Sequence, residues 1–261
     1  MIATILRHER IRTQRPLLII ASIAVVLIAL ADLLAVFFGV IELVFATLLT
    51  LALLPVIQFF LVIDFYRSCY GKGAMLTHSL PVAGRKIFWT KSLFALVLSL
   101  LTAMLVLIIL LVQARLALSL ADIGLAEAVG DTQLLFHHVQ GLWPVLIGSV
   151  AWIVLMPLAA MCASVVIGSG GWARRLSIAG PIIVFMSYYL LMQILGVVSI
   201  FVPPVFDIPA GQVRFESFWS IMAVNDTNPV LPLSIFILHI VVIVAMLLWA
   251  SREMHTKVEL R

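Results

Sequence analysis

The chain alternates long apolar runs with short polar, basic or turn-rich breaks. A helix needs about 20 mostly apolar residues to cross the hydrocarbon of a bilayer, at about 1.5 Å per residue. Six runs reach that length: residues 16–38, 40–63, 88–112, 142–167, 176–202 and 230–250. The pattern predicts an all-α integral membrane fold with six transmembrane helices, a single domain over residues 1–261. Pro16 suits the first turn of a helix, where its missing N–H costs nothing. Pro55, Pro157 and Pro181 fall inside runs, which membrane helices tolerate as kinks where neighbours satisfy the freed carbonyl.

Composition agrees with the pattern. The chain is 64% hydrophobic and 11% charged, with a mean hydropathy of +1.23, against about 45–50% and about 25% for soluble domains. A water-soluble fold of this size cannot hide that much apolar surface. The pI of about 9.4 raises nucleic acid as a partner. The basic residues flank apolar runs instead of forming a stripe, so they mark membrane topology. Cys69 and Cys162 lie far apart in different surroundings, and neither a disulfide nor a metal site is expected. No cleavable signal peptide is expected, because the first apolar run is too long and more spans follow.

Placing the N-terminus in the cytoplasm puts fourteen of the sixteen Lys and Arg residues on the inner side, leaving Arg115 and Arg214 outside. Only Glu9, Asp64, Glu253 and Glu259 of the twelve acids then lie inside. The positive-inside rule therefore predicts both termini to be cytoplasmic. The inner pieces are the segment 1–15, the loop 64–87 and the turn 168–175. Outside lie a tight turn at Gly39, a connection over 113–140 in which "LALSLADIGLAEAV" can form an interfacial helix, and a connection over 203–229 that reads as ordered loop and turns.

The loop between spans 2 and 3, "YRSCYGKGAMLTHSLPVAGRKIFWTK" from Tyr66 to Lys91, is longer than a turn requires. It predicts a short helix from Gly71 or Gly73 to Leu80, stopped by Pro81, which disfavours helix in the residue before it. Met75, Leu76 and Leu80 would present an apolar surface, with Lys72, Thr77, His78 and Ser79 around it. Lys91 would snorkel back to the interface. An exposed apolar knob of this kind packs on the protein's own N-terminal segment, rests at the membrane surface or docks into a partner.

These residues carry a resemblance. Gly71, Gly73, Thr77, Leu80, Pro81, Val82, Arg85 and Lys91, with the six-span plan and the basic N-terminal segment, resemble the permease subunits of type-2 ABC exporters. The resemblance implies that Tyr70–Pro81 is a coupling helix seated in a cleft of a cytosolic ATPase subunit, present in two copies. It implies that the segment 1–15, "MIATILRHERIRTQR", is an amphipathic interfacial helix with Ile2, Ile5 and Leu6 toward lipid. A six-span unit would be half a pathway, paired with a second copy or a related permease in a bacterial cytoplasmic membrane. The chain has no Gly-x-x-x-x-Gly-Lys-Ser/Thr phosphate loop, so ATP and Mg would sit on the partner and no cofactor on this chain. The cargo implied is amphipathic: a drug, an antimicrobial peptide or a lipid-like molecule.

Polar groups deep in the spans are candidates for the pathway. They are Gln58, Tyr188, Tyr189, Gln193 and His239, for which an interhelical hydrogen-bonding or packing role is the commoner alternative. Asp32 and Glu42 flank the outer turn and read as wetted carboxylates. His137-His138 lack further ligands at metal spacing. A rhomboid-type protease is excluded by a broken Gly-x-Ser-Gly pattern at Ser169 and by the depth separating it from His239. Two alternatives remain: a non-transport sensor or immunity-type partner, and an ion-driven secondary transporter, which would usually carry carboxylates near the midplane.

Overall fold

The computed structural model describes residues 2–71, 83–121, 142–170, 176–224 and 229–258, with side chains from Leu6 to Met254. In chain order these form α1 (Ile2–Phe38), α2 (Val40–Cys69), α3 (Gly84–Leu120), α4 (Leu142–Gly168), α5 (Ala179–Ser199), β1 (Val205–Asp207), β2 (Gln212–Arg214), α6 (Phe218–Ala223), β3 (Val230–Pro232) and α7 (Leu233–Val258). Six of these helices are long and apolar enough to cross a membrane. The chain is a multi-pass membrane protein, mostly helical, as its hydropathy pattern predicts.

The helices fall into two compact units, one holding α1–α3 and the other α4–α6, the strands and most of α7. In the first unit α2 is central. Its buried residues Leu43, Ala46, Thr50, Leu54, Ile57, Leu61, Phe65 and Ser68 recur every three or four positions, the spacing that puts side chains on one helical face. α3 answers with Phe88, Lys91, Ala95, Ser99, Thr102, Val106 and Gln113. The opposite faces, such as Leu93, Val97, Leu100, Met104 and Leu107 of α3, are exposed and apolar, as a lipid-facing surface requires.

α1 departs from expectation. It starts at Ile2 and continues through Pro16, so the segment 1–15 is no separate interfacial helix and Pro16 is not in a first turn. The cause is tertiary. Glu9 and Thr13 are only 5% and 2% exposed, so protein neighbours hold these turns, and the Thr13 hydroxyl donates to the Glu9 carbonyl at 2.9 Å. Helix ends elsewhere also outrun the apolar runs: α2 reaches Cys69, while α3 begins at Gly84 and extends through Arg115 to Leu120. The interfacial helix expected from 116 is, in its opening residues, the end of α3. Its remainder, like His137-His138, lies outside the described residues.

In the second unit α4 and α5 meet backbone to backbone. A Cβ on Gly168 would lie 2.3 Å from the Pro181 nitrogen and 2.4 Å from the Gly180 carbonyl carbon. Pro181 falls in the first turn of α5, where it needs no kink. α7 joins through larger side chains, with Ile243 in a core that includes Ala160, Tyr188 and Met192.

β1 and β2 lie in the connection read as loop and turns, and β3 takes the first three residues expected of the sixth span. They form a small antiparallel sheet in the order β2-β1-β3, pairing Val205 with Arg214 on one side and Pro232 on the other. The β1–β2 turn ends at Gly211, whose φ of 64° favours glycine. The Asp207 carboxylate accepts from the Ala210 N–H at 3.0 Å and pairs with Arg214. Ser217 caps α6 by accepting from the Ser220 N–H. The sheet and α6 form a cap on the end of α5: the Trp219 backbone N–H donates to the Ile200 carbonyl at 3.0 Å, while the Ser234 hydroxyl of α7 donates to the Ser199 carbonyl of α5 at 2.9 Å. These bonds satisfy carbonyls that a helix C-terminus leaves open.

Candidate functional site

The first unit carries a buried layer of charge at the end where α2 stops and α3 starts. Lys91 on α3 donates to Glu9 Oε1 of α1 at 2.6 Å and to Ser68 Oγ of α2 at 2.7 Å. Arg12 of α1 donates to Glu9 Oε2 at 2.6 Å and pairs with Asp64 of α2. Two carboxylates and two cations balance, and one layer links all three helices. The side chains of Lys91 and Glu9 are 4% and 6% exposed. Lys91 therefore does not snorkel outward as expected. A carboxylate from α1 at its own level neutralises it, which removes the reason to reach water. Arg12 likewise turns inward, whereas Arg7, Arg10 and Arg15 are exposed.

A second polar layer lies toward the opposite end. Gln113 on α3 donates from Nε2 to Asp32 Oδ1 of α1 and to Thr50 Oγ1 of α2, each at 3.0 Å. Gln113 and Thr50 are buried, and Asp32 is half-buried, not the fully wetted carboxylate expected. Lys91 and Gln113 lie 22 positions apart on α3, which at helical rise is about 33 Å. The hydrocarbon core is about 30 Å thick. The two layers thus pin the three helices together at a spacing that matches a bilayer.

Of the expected coupling residues, Tyr70 and Gly71 are described. Tyr70 closes α2 with its N–H on the Tyr66 carbonyl at 2.8 Å, and its ring stacks on that of Tyr66. Gly71 bonds to the Arg67 carbonyl at 3.2 Å, and a Cβ there would come within 2.7 Å of that oxygen. Lys72, Gly73, Met75, Leu76, Thr77, His78, Leu80 and Pro81 lie outside the described residues. Ser68 lies in the last turn of α2 before this segment, and Lys91 lies about two helical turns into α3 after it.

The pathway candidates separate. Tyr188 of α5 and His239 of α7 are hydrogen-bonded through the phenol oxygen and Nε2. Trp152 of α4 packs its ring edge-on to His239 at 4.1 Å and to Phe236 at 4.5 Å. These side chains join α4, α5 and α7. Tyr189 and Gln193 are exposed on α5, on the face away from the buried Tyr188. Gln58 belongs to the first unit, 2% exposed in the central stripe of α2. Both cysteines are buried, in α2 and α4.

Sequence reasoning missed the Glu9–Lys91 pair, although a signal existed. Glu9 and Asp64 are acids with basic neighbours in sequence at the ends of apolar runs, and an isolated acid at a membrane edge calls for a partner. No family model matches the chain, and neither the curated proteins nor the solved structures contain a match.

Proposed function

We propose that this chain is the permease subunit of an ATP-driven exporter, working as a pair of permeases with two copies of a separate cytosolic ATPase. The residues that resemble type-2 ABC permeases motivate the reading, and one geometric observation supports it. The segment 70–83 joins α2 to α3, and within about two helical turns of its ends Glu9, Arg12, Asp64, Ser68 and Lys91 tie α1, α2 and α3 together. A push on that segment reaches three helices through charged contacts that hold one register. In this reading the segment faces the cytoplasm, the termini are on the same side, and ATPase closure tilts the first unit to open a path for an amphipathic cargo.

The test is co-purification from native membranes in mild detergent. An ATP-hydrolysing subunit should accompany the wild-type chain and be lost from Met75→Asp or Leu76→Asp, with the chain still folded. A stable complex without hydrolysis would replace this reading with the sensor or immunity-type one.

One observation favours an ion-driven transporter: Asp32, a carboxylate on a spanning helix bonded to a buried amide. It sits six residues from the end of α1, far from the midplane where coupling ions usually bind. Transport that follows an ion gradient in ATP-depleted vesicles would select that reading.

A further inference from the structure

The cap of the second unit leaves large apolar side chains uncovered. Phe215 is 85% exposed, Trp219 58%, Met222 58% and Val224 80%. Such a group on a segment rich in turns is unusual for a surface that meets only water. The exposure is oriented. Trp219 and Met222 lie three apart on α6 and so share a face, while Ile221 is turned inward at 4%. The Asp207–Arg214 pair sits within the sheet, with the Asp207 side chain 2% exposed.

The uncovered face continues a surface already present below it. Ile194, Val197, Val198 and Phe201 are exposed along α5 and its C-terminal extension, at 62%, 61%, 45% and 56%. Their spacing of three and four keeps them on one side of the helix. Phe201 then meets Trp219 with ring centroids 5.5 Å apart, and the Trp219 backbone N–H is bonded to the Ile200 carbonyl. The apolar stripe of a membrane-spanning helix therefore passes into α6 through a fixed joint.

We infer that this cap is a membrane-surface anchor: α6 lies in the headgroup layer beside the end of α5, with Phe215, Trp219 and Met222 inserted among lipid chains. The occupant of the face is the bilayer, because the stripe it extends is the lipid-facing surface of a span. Tryptophan favours this depth, where its ring is in hydrocarbon and its N–H reaches the polar layer. The anchor fixes the depth of α5 and, through the Ser234–Ser199 bond, of the start of α7. It does not depend on the exporter reading.

The experiment uses the full chain with Trp219 as sole tryptophan, the other five replaced by Phe. The chain is placed in phosphatidylcholine vesicles whose lipids are brominated either just below the headgroup or near the chain terminus. Shallow bromines should quench Trp219 emission about twofold, and deep ones much less, as an interfacial ring requires. Absence of quenching by either lipid overturns the inference. Water-like emission would then place the cap in solvent, and blue-shifted, dilution-sensitive emission would place it against a second copy of the chain. If the tryptophan replacements unfold the protein, Phe215→Cys carrying a nitroxide answers the same question, since Cys69 and Cys162 are both buried. Collisions with oxygen should exceed those with a water-soluble nickel chelate, and the reverse order overturns the anchor.

Discussion

The two units solve one problem, holding membrane helices together, by different means. The first uses charge and amide layers near its two ends, with Lys91 on Glu9 and Gln113 on Asp32 and Thr50. The second uses close backbone contact at Gly168 and an aromatic cluster around His239. Apolar packing alone gives little drive for association in lipid, where chains are as apolar as leucine. Small residues let backbones touch, and polar bonds fix register. A charge layer also makes the first unit's arrangement more discrete, because a buried ion pair tolerates little displacement before it loses its compensation.

The largest expected effect comes from splitting the buried pair. Lys91→Met leaves Glu9 with one cation fewer and should cost about 3–5 kcal/mol, read as a lowered thermal unfolding midpoint in detergent. Glu9→Met combined with Lys91→Met should recover most of that loss, because the Arg12–Asp64 pair survives and no lone charge is left. Failure of the double variant to recover would mean that the layer is not a compensated pair.

Next in size, Gly168→Ala forces a Cβ against the Gly180–Pro181 backbone and should cost about 1–3 kcal/mol by overpacking. Gly148→Ala in the same helix meets no atom within 4 Å and should be neutral, or stabilising by up to about 1 kcal/mol. Equal effects from the two would remove close approach as the device that joins α4 to α5. The smallest effect belongs to the polar bond of the second unit. Tyr188→Phe should cost about 0.6 kcal/mol, the usual value for a hydrogen bond between membrane helices, with transport of an identified cargo little changed. Loss of transport with unchanged stability would move Tyr188 into the pathway.

The six spans were legible because length and hydropathy decide membrane insertion almost alone. Helix ends were not, because charged residues such as those of "HERIRTQR" extend a helix readily once packing holds one face. The sheet was hidden by strands of three residues, too short to display alternation between prolines and glycines. Within the candidate site, composition singled out the segment after Cys69, most of which lies outside the described residues. The charge layer was not legible, since Glu9 and Lys91 are 82 positions apart and no local pattern pairs them. The expectation that Lys91 snorkels followed from treating each cation alone.

The central claim is that the charge layer and the segment 70–83 beside it face the cytoplasm, where an ATPase can reach them. It is tested by attaching a membrane-impermeant thiol reagent to His78→Cys, with the buried Cys69 and Cys162 left in place. Labelling should occur in inside-out vesicles and be absent in intact cells. Labelling of intact cells would contradict the account, because the segment would then face away from any cytosolic partner.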